Sequence, residues 1–223
     1  DTHPNDWAMI QTNLANAYRY RLMHKRVDNL EQARFYAEQA SQIYTKTAFP
    51  ENWARTQNSL AAIYLERIQG DRADNLDRTI YCSQEVIENC DRDAFSEQWA
   101  QAQLNLGSGY AKRLRGERSN NLEQSIIHCQ KALEVFTDTA FPEEWAHAQN
   151  NLGLAYLYRV HGDRADNLEQ SIHHLQQALK VQLRIASPVY LAMVQLNLGA
   201  AYIERVDGQK AENQEQAICL RQS

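Results

Sequence analysis

No stretch of this chain approaches the roughly 18 consecutive apolar residues that a membrane-spanning helix needs, although 43% of its 223 residues are hydrophobic. The opening Asp1-Thr2-His3-Pro4 carries no basic and apolar leader, so a soluble, cytoplasmic chain is expected, with no membrane partner. Basic residues are also short: 23 Lys and Arg face 28 acids for a formal charge of −5. A groove that neutralises phosphates needs the opposite balance, and nucleic acid is not expected as a partner. The four cysteines, Cys82, Cys90, Cys129 and Cys219, follow no CxxC spacing, and reduced thiols are expected. The eight glycines form neither a GxGxxG nor a phosphate loop. No nucleophile constellation or paired-carboxylate cleft stands out, so neither enzymatic activity nor a cofactor is expected. Cys82, His128 and His174 share a column, with Cys129 beside it. Ligands on neighbouring repeats lie too far apart to meet one zinc ion, so no metal is expected. The acids around Asp71 and Asp74 lack the alternating ligands of a calcium loop and read as helix caps.

What the chain does have is a period. Trp7-Ala8, Trp53-Ala54, Trp99-Ala100 and Trp145-Ala146 recur every 46 residues, with Leu191-Ala192 in the fifth copy. The same interval links Gln11, Gln57, Gln103, Gln149 and Gln195, then Leu14, Leu60, Leu106, Leu152 and Leu198. It also links Tyr18, Tyr64, Tyr110, Tyr156 and Tyr202, and Arg21, Arg67, Arg113, Arg159 and Arg205. Within a repeat these columns keep to one side of a 3.6-residue period, which predicts an amphipathic helix A. Pro4, Pro50, Pro142 and Pro188, with Ser96 in the third copy, open it, and acids such as Glu51, Glu97 and Glu143 favour its first turn. Gly70, Gly116, Gly162 and Gly208 are expected to stop helix A, with His24 in that column of the first copy. Asp28, Asp74, Asn120 and Asp166 each precede an acid by three residues and resemble capping boxes opening helix B. Helix B, carrying Leu30, Leu76, Leu122 and Leu168, is expected to run four to five turns. A fifth helix B opens near Glu212-Asn213-Gln214-Glu215 and is cut short at Ser223, so a larger parent protein is expected. The repeats run 4–49, 50–95, 96–141, 142–187 and a truncated 188–223.

Leu106-Gly107-Ser108-Gly109-Tyr110, Leu152-Gly153-Leu154-Ala155-Tyr156 and Leu198-Gly199-Ala200-Ala201-Tyr202 resemble helix A of the tetratricopeptide (TPR) family, across essentially the whole chain. That family's usual period is 34, against 46 here, and its early Trp position holds Gln while Trp sits four residues sooner. The longer variant, with Phe-Pro-x-x-Trp-Ala, Asn-Asn-Leu-Gly and Gly-Asp-Arg-x-Asp-Asn-Leu-Glu, resembles the repeat arrays attached to caspase-like CHAT domains in bacteria. The resemblance implies an all-α, right-handed superhelix of about five TPR-like helix-turn-helix repeats.

Columns shared by every repeat should serve packing, so the Leu, Tyr and Trp columns are expected in the core. The Arg column could bind carboxylates of a ligand or, as structure, pair with the acids opening helix B: Glu31, Asp77, Glu123, Glu169 and Glu215. Function should then sit where the A helices differ. The resemblance implies a concave groove lined by A-helix positions, of which the candidate partner-binding residues are Asn16, Arg19, Tyr20, Asn58, Lys112, His147, Asn150, Leu154, Tyr158 and Met193. Asn16, Asn58 and Asn150 could bond a partner's backbone while Tyr158, Leu154 and Met193 hold an apolar anchor; the alternative for each is packing or solvation. The Lys and Asn pattern by which some family members clamp a chaperone's C-terminal carboxylate is absent, with Thr12/Asn16, Asn58/Ala62 and Leu104/Ser108 in its place. The expected function is a protein-interaction scaffold holding a peptide or helix of a protein partner, as a segment of a larger regulatory protein whose parent chain could carry a caspase-like domain. The alternatives are a self-associating structural array, a module holding substrate or regulator for such a protease, and an enzyme on a helical scaffold.

Overall fold

The computed structural model describes residues 3–185, 188–205 and 218. Gly208, the fifth helix B from Glu212 through Glu215, and Cys219 lie outside the described residues. Within them are nine helices and no strand: α1 Pro4–Tyr20, α2 Arg26–Ser41, α3 Pro50–Glu66, α4 Arg72–Asn89, α5 Ser96–Lys112, α6 Arg118–Ala132, α7 Pro142–Leu157, α8 Arg164–Ile185 and α9 Pro188–Glu204. Odd-numbered helices are the A helices and even-numbered ones the B helices. The chain forms two compact units, Asp1–Arg115 and Gly116–Ser223, and the boundary falls inside the third repeat, between α5 and α6. In the first unit consecutive helices pack on each other, and α1 meets α3 and α3 meets α5; in the second, α6 to α9 pack consecutively and α7 meets α9.

Pro4, Pro50 and Pro142 stand in the first turn of their helices, where the missing N–H costs no helix bond. The A helices end sooner than their glycines suggest, at Tyr20, Glu66, Lys112 and Leu157. Two groups make the earlier stop. The next Arg swings to extended backbone, as Arg67 and Arg113 do. The first Arg of helix B then donates to a carbonyl in the last turn of helix A: Arg26 to Arg19, Arg72 to Leu65 (2.9 Å) and Arg164 to Leu157. Orphan carbonyls of a helix end need such partners. The glycines instead turn the A–B link, with φ of +80° at Gly70 and Gly116 and +82° at Gly162, and His24 takes the same left-handed geometry at +68°.

The expected capping boxes are also displaced. In α4 and α8 the capping acids lie three residues earlier, outside the helix: Asp71 Oδ1 accepts from the Asp74 N–H at 2.9 Å, and Asp163 Oδ1 accepts from those of Ala165 and Asp166; the residues at the same place in α2 and α6, Lys25 and Glu117, make no side-chain cap. Asp77 and Glu169 are thereby released for another partner, and Glu31 and Glu123 take the same partner without such a cap. The B helices span 15 residues in α6 but 22 in α8, which exceeds the expected length.

The core is lighter than the aromatic columns suggest. The alanine after each Trp is fully buried, as are Leu30, Leu76, Leu122 and Leu168. Trp53 and Trp99 are buried, but Trp7 is half-exposed, Leu14 is half-buried, and of the Tyr column only Tyr202 is buried. Tyrosine keeps its hydroxyl at the boundary, where it finds polar partners: Tyr64 donates to Glu38 at 3.1 Å and Tyr202 accepts from Gln176 at 2.8 Å.

Candidate functional site

The Arg column reaches backward, to the preceding repeat. Arg67 Nε lies 2.7 Å from Glu31, Arg113 Nε 3.1 Å from Asp77, Arg159 Nε 2.7 Å from Glu123 and Arg205 Nε 2.6 Å from Glu169. Arg67 and Arg159 are bidentate, their Nη2 atoms adding bonds of 3.1 and 2.9 Å. The arginine bond pulls the pKa of Glu31 and of Glu123 below the ordinary carboxylate value, outweighing burial. Burial pushes Asp77 up, but Arg115 and Arg113 together bring it down. This column therefore fastens consecutive repeats and leaves no guanidinium fork open in Arg67 or Arg159.

An asparagine column completes the fastening. Asn29, Asn75, Asn121 and Asn167 are buried at the start of helix B. Asn75 donates to the Gln69 carbonyl and Asn167 to the His161 carbonyl, at 2.9 and 2.8 Å, while their Oδ1 atoms accept from Arg67 and Arg159. A polar residue repeated every 46 positions, on the same turn as the buried leucine, is the signal in the sequence that marks this group.

The candidate partner-binding residues divide in two. Asn58 and Asn150 are buried between A helices: Asn58 donates to the Gln98 carbonyl at 2.8 Å and Asn150 Oδ1 accepts from Asn197 at 2.8 Å. Both are committed to the next A helix, because a buried amide must be bonded. Arg19 is likewise engaged, its Nε and Nη2 on Glu66 at 3.1 and 2.6 Å and its plane 4.9 Å from the Tyr20 ring. Arg26 reaches the other Glu66 oxygen, which makes Glu66 the centre of this cluster. Lys112 stands nearby. It is exposed at the surface yet crowded enough for its pKa to fall, first by desolvation and then through Arg72, with Glu66 opposing. Tyr20 is exposed and Asn16 half-buried.

In the second unit Tyr158 is exposed and Met193 partly so. Leu154 leans on the cluster of Leu157, Leu168 and Leu175, and the His147 ring lies 4.2 Å from that of Tyr190. The exposed side chains named here are apolar or aromatic, whereas those around Glu66 are charged.

Groups with intrinsic reactivity are held quiet. Burial pushes the Cys82 and Cys129 thiols up to about 12, far from the thiolate form that reacts. Burial lowers His128 and His174 to about 4, and His174 Nδ1 lies 2.6 Å from Gln149 Oε1. Among the described residues no three His, Cys, Asp or Glu side chains gather around a metal-sized site. No described helix is long and apolar enough to cross a membrane. No family model and no curated protein matches the chain.

Proposed function

We propose that this chain is a non-enzymatic protein-interaction scaffold of tetratricopeptide type, whose A-helix surfaces hold a peptide or short helix of a protein partner. One observation carries the reading. The columns that are identical between repeats are spent on packing and on ion pairs between repeats, while the ends of the A helices expose a column that varies, with Tyr20, Lys112, Tyr158 and Glu204 at the surface. Variable exposed residues on a fixed scaffold are the means by which repeat proteins vary their ligands. The charged cluster around Glu66 suits a polar segment carrying an acid for Lys112. The Tyr158, Leu154 and Met193 surface suits an apolar anchor, since aromatic residues and Met are enriched where binding energy concentrates. The resemblance to CHAT-linked arrays supports a regulatory setting in which the segment holds a substrate or regulator for a caspase-like domain.

Peptides selected from a displayed random library against the 223-residue chain provide the test. Binding measured by calorimetry should weaken at least tenfold (about 1.4 kcal/mol) in Tyr158→Ala/Met193→Ala or in Lys112→Glu, with the melting temperature unchanged. Peptides that bind both variants as well as the parent chain would overturn the reading.

A further inference from the structure

The described B helices α2, α4, α6 and α8 each open on an arginine: Arg26, Arg72, Arg118 and Arg164. Arg26, Arg72 and Arg164 take the same posture, each donating from Nη1 to the carbonyl seven residues earlier, on Arg19, Leu65 and Leu157. That bond holds the guanidinium across the end of its own A helix. In two of the three, Nη2 then meets a carboxylate at the end of the next A helix. Arg26 pairs with Glu66, 40 residues on, and in the second unit Arg164 lies 3.6 Å from Glu204 at the same interval. These pairs are rungs between consecutive repeats, separate from the rungs of the Arg67 column.

The third repeat breaks the pattern. The residue at that interval from Arg72 is Lys112, so an ammonium stands where the register places an acid. Desolvation lowers the pKa of Lys112, and Arg72, a like charge beside it, lowers it further, with Glu66 opposing. Glu66 itself is already shared by Arg19 and Arg26. The acids next to Arg72 in the chain, Asp71, Asp74 and Asp77, turn to Arg115 instead. Among the described residues neither Arg72 nor Lys112 is ion-paired with an acid. A chain with a formal charge of −5 thus gathers four cations around the single carboxylate of Glu66.

We propose that Arg72 and Lys112 form a seat for a side-chain carboxylate, so that a Glu or Asp of the partner peptide completes in the third repeat the rung that Glu66 and Glu204 complete in their own. The proposal rests on the reading that this surface holds a peptide, and it names the residue type held there and the two groups that hold it. A guanidinium fork and a compact ammonium suit the two oxygens of one carboxylate. The acceptor is a side chain rather than a chain terminus because the rungs that the protein closes by itself are closed by glutamate side chains. The Lys and Asn pattern that would clamp a C-terminal carboxylate is absent from the A helices.

Two measurements test this. The first needs no peptide. Lys112→Glu should close the rung internally and raise Tm, and Arg72→Gln should then lower Tm further in the Lys112→Glu background than in the parent, the cycle cancelling the lost bond to Leu65. Equal losses in both backgrounds would overturn the proposal, because Arg72 would not face residue 112. The second uses peptides capped at both ends, selected from a displayed library on the whole chain and measured by calorimetry at low salt. One Glu or Asp should recur at a fixed position. Changing it to Gln should weaken binding to the parent about tenfold, and to Lys112→Gln only about twofold or less, while Lys112→Arg should behave as the parent does. Peptides that bind equally well once their acids are changed to Gln would sink the proposal and leave the peptide-binding reading standing. A library that yields no binder would remove that reading and the seat with it. Binding that requires a free C-terminus would assign the anion to the wrong group and refute the side-chain seat.

Discussion

The two compact units pack this helix pair with different divisions of volume. In the first, α1 brings Ala15 to meet Ala37 of α2, both buried in one cluster. In the second, the same two columns hold Gly153 on α7 and Leu175 on α8, and a Cβ placed on Gly153 would sit 2.5 Å from Leu175 Cγ and 3.2 Å from the Ser171 carbonyl oxygen. Helix A gives up one carbon where helix B gains three, and the helix pair packs in both cases. A repeat column therefore specifies a shared volume rather than a residue. Repeats with identical periods are not interchangeable piece by piece.

The largest effect should come from upsetting that division. Gly153→Ala gains helix propensity, but it forces a methyl into the γ-carbon of a fully buried leucine. Overpacking of this kind costs about 1–3 kcal/mol, and thermal unfolding followed by circular dichroism should show a clear drop in Tm. Adding Leu175→Ala recreates the pair of the first repeat and should remove the strain, so the double variant should be more stable than the sum of its two single changes. Strict additivity would break the comparison, because it would mean that the two columns do not share one space.

The fasteners between repeats come next. Arg159→Ala strands Glu123 partly buried and frees Asn167, and should cost about 1–2 kcal/mol, a charged hydrogen-bond value discounted for partial exposure. Arg21→Ala, in the same column but with no acid paired to it among the described residues, should cost under about 0.5 kcal/mol. Equal losses in the two variants would show that the column stabilises through the helix end rather than through the acid. The pH dependence follows from the same pairs. Glu31 and Glu123 have folded pKa values below their ordinary 4.5. Their contribution is therefore complete above that value and is lost as pH falls through the lower folded ones. Urea melts should start to weaken below about pH 6.5, where the unfolded chain protonates His128 and His174 and the folded chain holds them neutral. They should weaken further below about pH 4.5 as the glutamate pairs are lost, with a smaller fall in that second range in Arg159→Ala. The units differ here too: Asp77 has Arg115 as a second cation at 2.6 Å, while the same column beside Glu123 holds His161, a weaker influence on that carboxylate.

The period, the A and B helices and the prolines that start the A helices were legible in the sequence because each rests on local chemistry repeated several times over. The structure moved boundaries where two local signals competed. Gly70 has the left-handed geometry expected of it, but Arg72 already satisfies the carbonyls of α3, so the helix stops before the glycine is reached. Asp74 and Asp77 have capping-box spacing, yet Asp71 caps and Asp77 turns to Arg113. The groove asparagines were legible as variable A-helix positions, but not as buried ones. Asn58 and Thr12 share a column, and only the approach of the next A helix decides that both are covered. Tyr158 and Lys112 stay exposed because they lie beyond that approach, at the last turn.

The smallest effect tests the link that the glycines turn. Gly70, Gly116 and Gly162 adopt φ near +80° at no steric cost, and His24 holds +68° with a side chain. Left-handed backbone costs a non-glycine residue about 1–2 kcal/mol, while glycine loses more freedom on folding, worth about 0.5–1 kcal/mol. The difference favours His24→Gly by about 0.5–1 kcal/mol, readable as a small rise in Tm. The reverse change, Gly162→Ala, should lower stability by a similar amount, because a Cβ there would meet nothing closer than 3.8 Å and only the backbone geometry is strained. If His24→Gly destabilises instead, the imidazole contributes more than its backbone costs, and the first A–B link is then held by its side chain where the later links are held by their glycines.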